Sequence, residues 1–517
     1  MKFKTTKAWQ QYEKGKEYKR RIGLYETVRQ NERFYRGEQW QNDGNDLPKP
    51  VFNIVKRVTD YLICSVASGG INISYSCEDL PFVSDGALEK IKDGTSMLTK
   101  NAMYRWEENK MSRKLYKMLL DAAISGDGVM YCYFDPEVKS GQIYSGDIAC
   151  EVIDNVNLFV SDVNRSDLQS QEYIILSGRD SVSRLRREAE KYGVSREDIL
   201  KIVGDSETDT QSGELSKYEL EGDEEAKATY LIKFWREDGE VMLEKSTRDC
   251  VIRRHATGLK LYPVAYFSWT ETKNSFHGAS PITALIPNQK YINRAYAMVM
   301  KHMTDTAFSK VIYDKTRIPE WSNEVGEAIG AVGGTNVSDA VSVVGVGQMQ
   351  SGYLELIDSA MENTKELMGA TDTALGNVNP TNTSAILALQ ETSRSTLEQL
   401  RASLHGCIED IANIWADMMC CYYPADRLLK YSEDGELRAG RADLALLRES
   451  LVTARVDICD MTRYSVSTAQ SLLDRLLEGG YISARQYVER LPAGAFADKQ
   501  GLISELERDK GGVTLEE

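Results

Sequence analysis

The sequence predicts an α+β protein, and three observations carry that prediction. Residues 1 to about 280 interleave charged, aromatic-punctuated helical segments with short strand-like runs. Between Gly278 and Gly369 a helix, a glycine-rich stretch with β-branched runs and a second helix follow one another. From Ile386 to Met418 apolar residues recur at spacings of three and four, the period of a long amphipathic helix.

In the first region helices are expected over Lys7 to Phe34, Val51 to Val66 and Thr95 to Ser125. Strands are expected over Val129 to Phe134, Ala149 to Ile153, Tyr173 to Leu176, Ala228 to Trp235 and Tyr262 to Trp269. Gly204 to Ala226 holds nine acidic residues and one Lys, and its lack of apolar periodicity predicts a solvated loop. Ser280 can cap a helix and Pro281 can open it, where a missing N–H is harmless. Pro287 falls about two turns in and predicts a kink before a longer helix, Asn288 to Asp305.

Ala307 to Gln350 reads as a small β unit, with runs Val311 to Tyr313 and Val341 to Val346 around Gly326, Gly330, Gly333 and Gly334. Tyr353, Leu354, Ile357, Met361, Leu367 and Met368 return to helical spacing until Gly369. A polar loop, Thr371 to Thr383, precedes the strongest stripe: Ile386, Leu389, Leu397, Leu400, Leu404, Ile408, Ile411, Trp415 and Met418, interrupted by Ser393. A helix from Ser384 to Cys421 would be about 55 Å long, and Pro424 ends it. Ala454 to Cys459 reads as a strand. Ser467-x-x-Gln470 opens an apolar helix that Gly479-Gly480 closes, and Ser483-x-x-Gln486 opens another that stops at Leu491-Pro492.

Composition narrows the function. The 517 residues allow three or four units at about 150 residues each. A net charge of −15 is wrong for a protein whose affinity comes from neutralising phosphates, so sequence-specific DNA binding is not expected. The nine cysteines form no Cys-x-x-Cys pair, which predicts reduced, structural thiols. No apolar run reaches the roughly 18 to 20 residues of a membrane span, and no apolar signal core follows Met1, so a reducing cytoplasm is expected. Gly330 to Ser338 lacks the Lys of a phosphate-cradling loop, and Gly345-Val346-Gly347 lacks the third glycine of a dinucleotide turn. His255, His277, His302 and His405 show no His-Glu-x-x-His spacing. No catalytic residue, cofactor or metal is expected.

Helix, small β unit, helix, polar loop and very long helix is the order of stem, clip, second stem, tunnel loop and wing helix in the portal proteins of tailed double-stranded DNA phages, which this sequence resembles. Asn31-Glu32-Arg33-Phe34-Tyr35-Arg36-Gly37-Glu38-Gln39-Trp40 is similar to an early stretch of that family, as is Pro50 to Lys56 with its Asn53. Leu119 to Gly128 resembles its helix-Gly-strand passage. Gly278-Ala279-Ser280-Pro281 and Gln289-x-x-x-Asn293 complete the likeness, and Ser471 to Leu506 resembles the tail of many members.

The resemblance implies a wing at 1–280, a stem helix at 281–306, a clip at 307–350, a second stem helix at 351–370 and a tunnel loop at 371–383. The long helix and return to the wing follow at 384–465, and a crown-like helical tail at 466–517. It implies a non-enzymatic ring of about twelve copies at one capsid vertex. Its partners would be capsid and scaffolding proteins, a terminase motor, a head-to-tail adaptor and double-stranded DNA read without sequence specificity, with no membrane. An acidic channel suits a duplex that must slide, and about twelve chains at −15 sum to roughly −180, so assembly should depend on salt.

Asn377, Asn379 and Asn382 in the tunnel loop offer uncharged hydrogen-bonding groups to passing phosphates, or form a plain polar connector. Lys290, Arg294 and Lys301 lie close to one helical face and could touch DNA, or make ordinary salt bridges. Arg394 and Arg401 flank the long stripe as candidate subunit contacts. The rival reading is a cytoplasmic metal-dependent phosphodiesterase that gathers its scattered carboxylates on folding.

Overall fold

A computed structural model describes residues 5–40, 47–67, 70–77, 85–139, 141–205, 226–306, 310–322, 324, 328–344, 352–370, 397–433, 436–449, 452–459 and 463–490. It opens with helices α1 (Lys7–Arg21) and α2 (Leu24–Arg36), where periodicity alone predicts one helix. Gly23 between them has φ +71°, a left-handed conformation that ends the first helix and that a side chain would disfavour. Next come α3 (Ile54–Ala67), β1 (Gly70–Cys77), α4 (Asp85–Glu108) and α5 (Met111–Ser125). The single helix expected over Thr95 to Ser125 is likewise two, because Lys110 turns left-handed at φ +50°.

The strands form antiparallel sheets. β2 (Asp127–Asp135) pairs with β3 (Asp147–Ile153) on one edge and with β9 (Val264–Ser268) on the other. β4 (Leu158–Val160), β5 (Tyr173–Ser181), β6 (Lys227–Glu237), β7 (Glu240–Ser246) and β8 (Val251–Ala256) form a five-stranded meander in sequence order. Helices α6 (Val182–Lys191) and α7 (Arg196–Ile199) follow β5. The β7–β8 hairpin is absent from the sequence reading because alternating charges in Glu240 to Ser246 mask its apolar positions. The two-residue turn entering β7, Asp238 and Gly239, has positive φ at both positions, the hairpin geometry that matches strand twist.

Helix α8 (Pro281–Thr306) runs through Pro287. β10 (Lys310–Tyr313) pairs with β11 (Val341–Val344), and α9 (Gly352–Leu367) packs back on α8. Of the long stripe, the described part is α10 (Glu398–Tyr422); the stretch from Ser384 to Thr396 and the polar loop Thr371 to Thr383 lie outside the described residues. The chain ends with hairpin β12 (Leu429–Glu433) and β13 (Glu436–Gly440), α11 (Leu444–Glu449), β14 (Val452–Cys459), α12 (Arg463–Glu478) and α13 (Ala484–Arg490). α12 begins four residues before the expected Ser467. Ser483 and Gln486 exchange hydrogen bonds of 3.1 and 3.3 Å across the first turn of α13, the reciprocal cap that the sequence predicts.

α10 is the core helix. Leu404, Cys407, Ile408, Ile411, Ala412, Ile414, Trp415, Ala416, Met418 and Met419 are buried. At 100° per residue they span roughly 200° of its circumference, so two layers cover it: β2 and β9, and β14. β14 pairs with β1 from Gly70↔Cys459 to Cys77↔Val452, joining an early and a late segment of the chain beside this helix.

Asp121 in α5 carries a half-buried carboxyl that desolvation, aided by the charge of Asp154, pushes up to about 7. The folded protein thus keeps a proton that the unfolded chain releases near 3.8, and this group's contribution to stability falls as pH rises from about 4 to 7. Asp121→Asn removes that titration. It is expected to raise stability by about 1–2 kcal/mol at pH 8 and by little at pH 4. Urea unfolding at both values measures this; an equal gain at both would place the effect outside titration.

Candidate functional site

The root of α8 gathers the motifs that are scattered in sequence. Pro281 occupies the first helical position, and Ser280 Oγ accepts from the Ile282 N–H at 3.1 Å while donating to Ala123 O at 2.6 Å. The helix cap is therefore also a tie to α5. Gly126 and Gly278 cross here without room for side chains. A Cβ on Gly126 would lie 2.4 Å from Gly278 O, and one on Gly278 would lie 2.1 Å from Ser268 Oγ.

Along the next two turns, amides replace apolar side chains on the buried stripe of α8. Gln289 Oε1 accepts from the N–H groups of Ile54 and Val55 at 3.0 and 3.3 Å, capping α3, and its Nε2 donates to Phe52 O and Asn293 Oδ1, both at 2.8 Å. Asn293 Nδ2 donates to Gln39 Oε1 at 2.7 Å, and Gln39 Nε2 reaches Asn53 Oδ1 at 3.1 Å. Asn53 Nδ2 closes the chain on Tyr35 O at 2.9 Å. Asn31 Nδ2 donates to Ile124 O at 2.7 Å and Thr283 Oγ1 at 2.9 Å. Buried amides joined in series orient their neighbours and are expensive to leave half-paired. They fix the direction in which α8 leaves the body. The sequence signal was available: Gln289 and Asn293 fall in phase with Leu285, Ile286 and Ile292.

Beneath the knot lies Asp127, with no exposed side-chain surface. Its Oδ1 accepts from Tyr266 Oη at 2.6 Å and Gly278 N–H at 2.7 Å, and its Oδ2 is 2.6 Å from His277 Nδ1 and 3.3 Å from Asn155 Nδ2. Burial, reinforced by this carboxylate, holds the Tyr266 hydroxyl well above the usual range. Lys19 of α1 is buried alongside and donates to Asn155 O, Val156 O and Leu158 O at 2.6–3.0 Å. Burial pushes its ammonium down to about 7 against the opposing pull of Asp154 and Asp127. These contacts hold β2, the Ser275–Gly278 turn and α1 together.

Three of the residues selected from sequence lie on α8. Lys290, Arg294 and Lys301 share one face of α8, over about 17 Å. Lys290 Nζ lies 5.5 Å from the centre of the Phe34 ring, Arg294 is exposed, and Lys301 is 3.8 Å from Asp305. Arg401 Nη2 donates to Ser65 O at 2.7 Å near the end of α3, a contact within the chain. Asn377, Asn379, Asn382 and Arg394 lie outside the described residues. Among the described residues no three His, Cys, Asp or Glu side chains gather as metal ligands, so the rival phosphodiesterase finds no support there. Among them, too, no helix is long and apolar enough to cross a membrane.

Comparison with curated proteins finds no match. The family model of the phage P22-like portal protein matches residues 177–439, from β5 through the α8–α9 hairpin and α10 to β13. That span is just over half of the 517 residues and contains the hairpin whose root the scattered motifs build. The chain belongs to the phage P22-like portal protein family.

Proposed function

We propose that this portal protein closes into a ring of about twelve copies at one capsid vertex and forms the DNA channel for genome packaging, head-to-tail joining and ejection. The observation that carries this reading is the surface of the α8–α9 hairpin. Its root is buried, but Met298, Met303, Tyr353, Leu356 and Leu367 are exposed, each by more than half. A contiguous helical pair that leaves such residues uncovered calls for an apolar partner surface, and in a ring the neighbouring copy supplies it by a heterologous contact.

In this reading α8 and α9 are the stem and β10–β11 belongs to the clip, which docks a terminase motor and later an adaptor. Capsid and scaffolding proteins hold the body during assembly in the host cytoplasm. Asn377, Asn379 and Asn382 line the bore, with Lys290, Arg294 and Lys301 as weaker phosphate contacts and Arg394 and Arg401 at subunit boundaries. The role is structural, and the acidic chain lets the duplex slide without sequence-specific capture.

The test is negative-stain imaging with mass determination across a salt series, on wild type and on Met298→Asp combined with Leu356→Asp. Wild type is expected to give rings with a central hole, and the variant folded monomers with unchanged circular dichroism. Rings of unchanged mass in the variant would remove the hairpin from the interface.

A further inference from the structure

Cys132 in β2 and Cys150 in β3 stand directly opposite each other in the antiparallel ladder. The Cys132 N–H donates to Pro263 O at 2.9 Å, on the other edge of β2. The two cysteines are therefore a non-hydrogen-bonded pair, the narrower kind, with Cα atoms about 4.5 Å apart. A disulfide spans about 4.4–6.8 Å between Cα atoms, so the backbone is already set for one. The Sγ atoms lie 3.5 Å apart, in mutual contact and buried.

The environment makes the two thiols unequal. The Trp415 indole N–H donates to Cys150 Sγ at 3.2 Å, which favours a thiolate there. The contact with Cys132 and this indole hold the Cys150 thiol below the usual range, while the same thiol contact and burial push Cys132 up. A cavity of about 260 Å³ has Cys132 in its lining, together with Tyr133, Phe134, Phe234 and the exposed His255. A small oxidant that enters it meets β2 at Cys132, whose sulfur lies 3.5 Å from that of Cys150.

We propose that Cys132 and Cys150 are a modification site, a thiol pair that hydrogen peroxide closes to an intrachain disulfide. The Cys150 thiolate attacks one peroxide oxygen, the O–O bond breaks, and the hydroxide released takes up the proton that Cys150 gave up, leaving a sulfenic acid and one water. Cys132 sulfur then attacks the Cys150 sulfur, the S–O bond breaks, and the departing hydroxide leaves with the Cys132 proton as a second water. Two thiols lose two electrons and one peroxide gains them. A virion component released from its host meets such oxidants with no reductant pool to reverse the bond, and the bond would tie β2 to β3 directly beneath Trp415.

The experiment treats the full-length wild-type protein with hydrogen peroxide, unfolds it in iodoacetamide and maps tryptic peptides by mass. Cys132 and Cys150 fall in separate peptides, 118–139 and 140–165, each with one cysteine. The expected product is the linked pair, lighter than its two parts by two hydrogen atoms and separated by dithiothreitol, while exposed Cys64 stays unlinked. The oxidised protein should melt several degrees higher, and Cys150→Ser should leave Cys132 alkylated. Both peptides alkylated at peroxide excess, or Cys150 carried to sulfinic acid without linkage, would overturn the proposal. So would linkage that lowers the melting temperature, since the native geometry would then not be preset for the bond.

Discussion

Asp127→Ala is expected to destabilise the protein by about 3–5 kcal/mol, because it strips the shared acceptor from a buried hydrogen-bond network and leaves several buried donors unpaired at once. Tyr266 Oη, the Gly278 N–H, His277 Nδ1 and Asn155 Nδ2 all converge on it. Water cannot replace it cheaply, since the side chain has no exposed surface. Asp127→Asn separates charge from shape: it fills the same space but turns an amino group toward donors, and should lose about 1–3 kcal/mol. Urea midpoints of the two variants rank these effects. A loss under about 1 kcal/mol for Asp127→Ala would mean that the turn before α8 is held by its own glycines and the Ser280 cap. Amide exchange gives a second reading, with protection expected to fall first at Gly278 to Ile282.

Asp147→Ala should produce a loss of similar size at the other end of the core. Two nearly buried guanidiniums share this carboxylate: Arg105 Nη1 at 2.7 Å and Arg427 Nη2 at 3.2 Å, with the Tyr423 hydroxyl donating to it as well. Arg427 also stacks 3.8 Å from the Tyr423 ring centre. Burial pushes the Asp147 carboxyl up, but the Arg105 charge and the hydrogen bonds from Tyr423, Arg105 and the Ile148 N–H outweigh it and hold the group below the usual range. Its folded-state pKa is depressed, so the stability it confers is present above the unfolded value of 3.8 and is lost as pH falls through the folded one. Removing it leaves two cations facing each other in the interior, an expected loss of about 3–5 kcal/mol. The loss should shrink when Arg427→Met is added, because one unpaired charge goes with it. Thermal unfolding of the single and double variants decides this; strict additivity would show that the three side chains act separately.

The helix, β unit and helix between Ser280 and Gly369 were legible from residues alone because each signal is local. A cap, a proline at the first position, a glycine-dense run and an apolar period all act within a turn or two of the chain. The reciprocal Ser483–Gln486 cap was legible for the same reason. Local pattern failed where one residue's backbone broke a continuous stripe: Gly23 and Lys110 each split an expected helix by turning left-handed. It also failed for β1 and β14, whose pairing joins residues 381 apart at Ser74 and Arg455.

By itself the sequence determined the α+β class, the order of elements around the hairpin, and the absence of a phosphate loop at Gly330 to Ser338. The motifs behind the family likeness were also readable, but not what they do. Only the tertiary structure decided that Gln39, Asn53, Gln289 and Asn293 form one hydrogen-bonded series, that Gly126 and Gly278 touch, that Asp127 and the Cys132–Cys150 pair are buried, and that Asp147 sits half-buried between two buried guanidiniums. The reason is the range of the forces involved. Helix periods and caps are satisfied by neighbours a few residues away, whereas a polar group removed from water must be paired by whatever segment the fold brings against it.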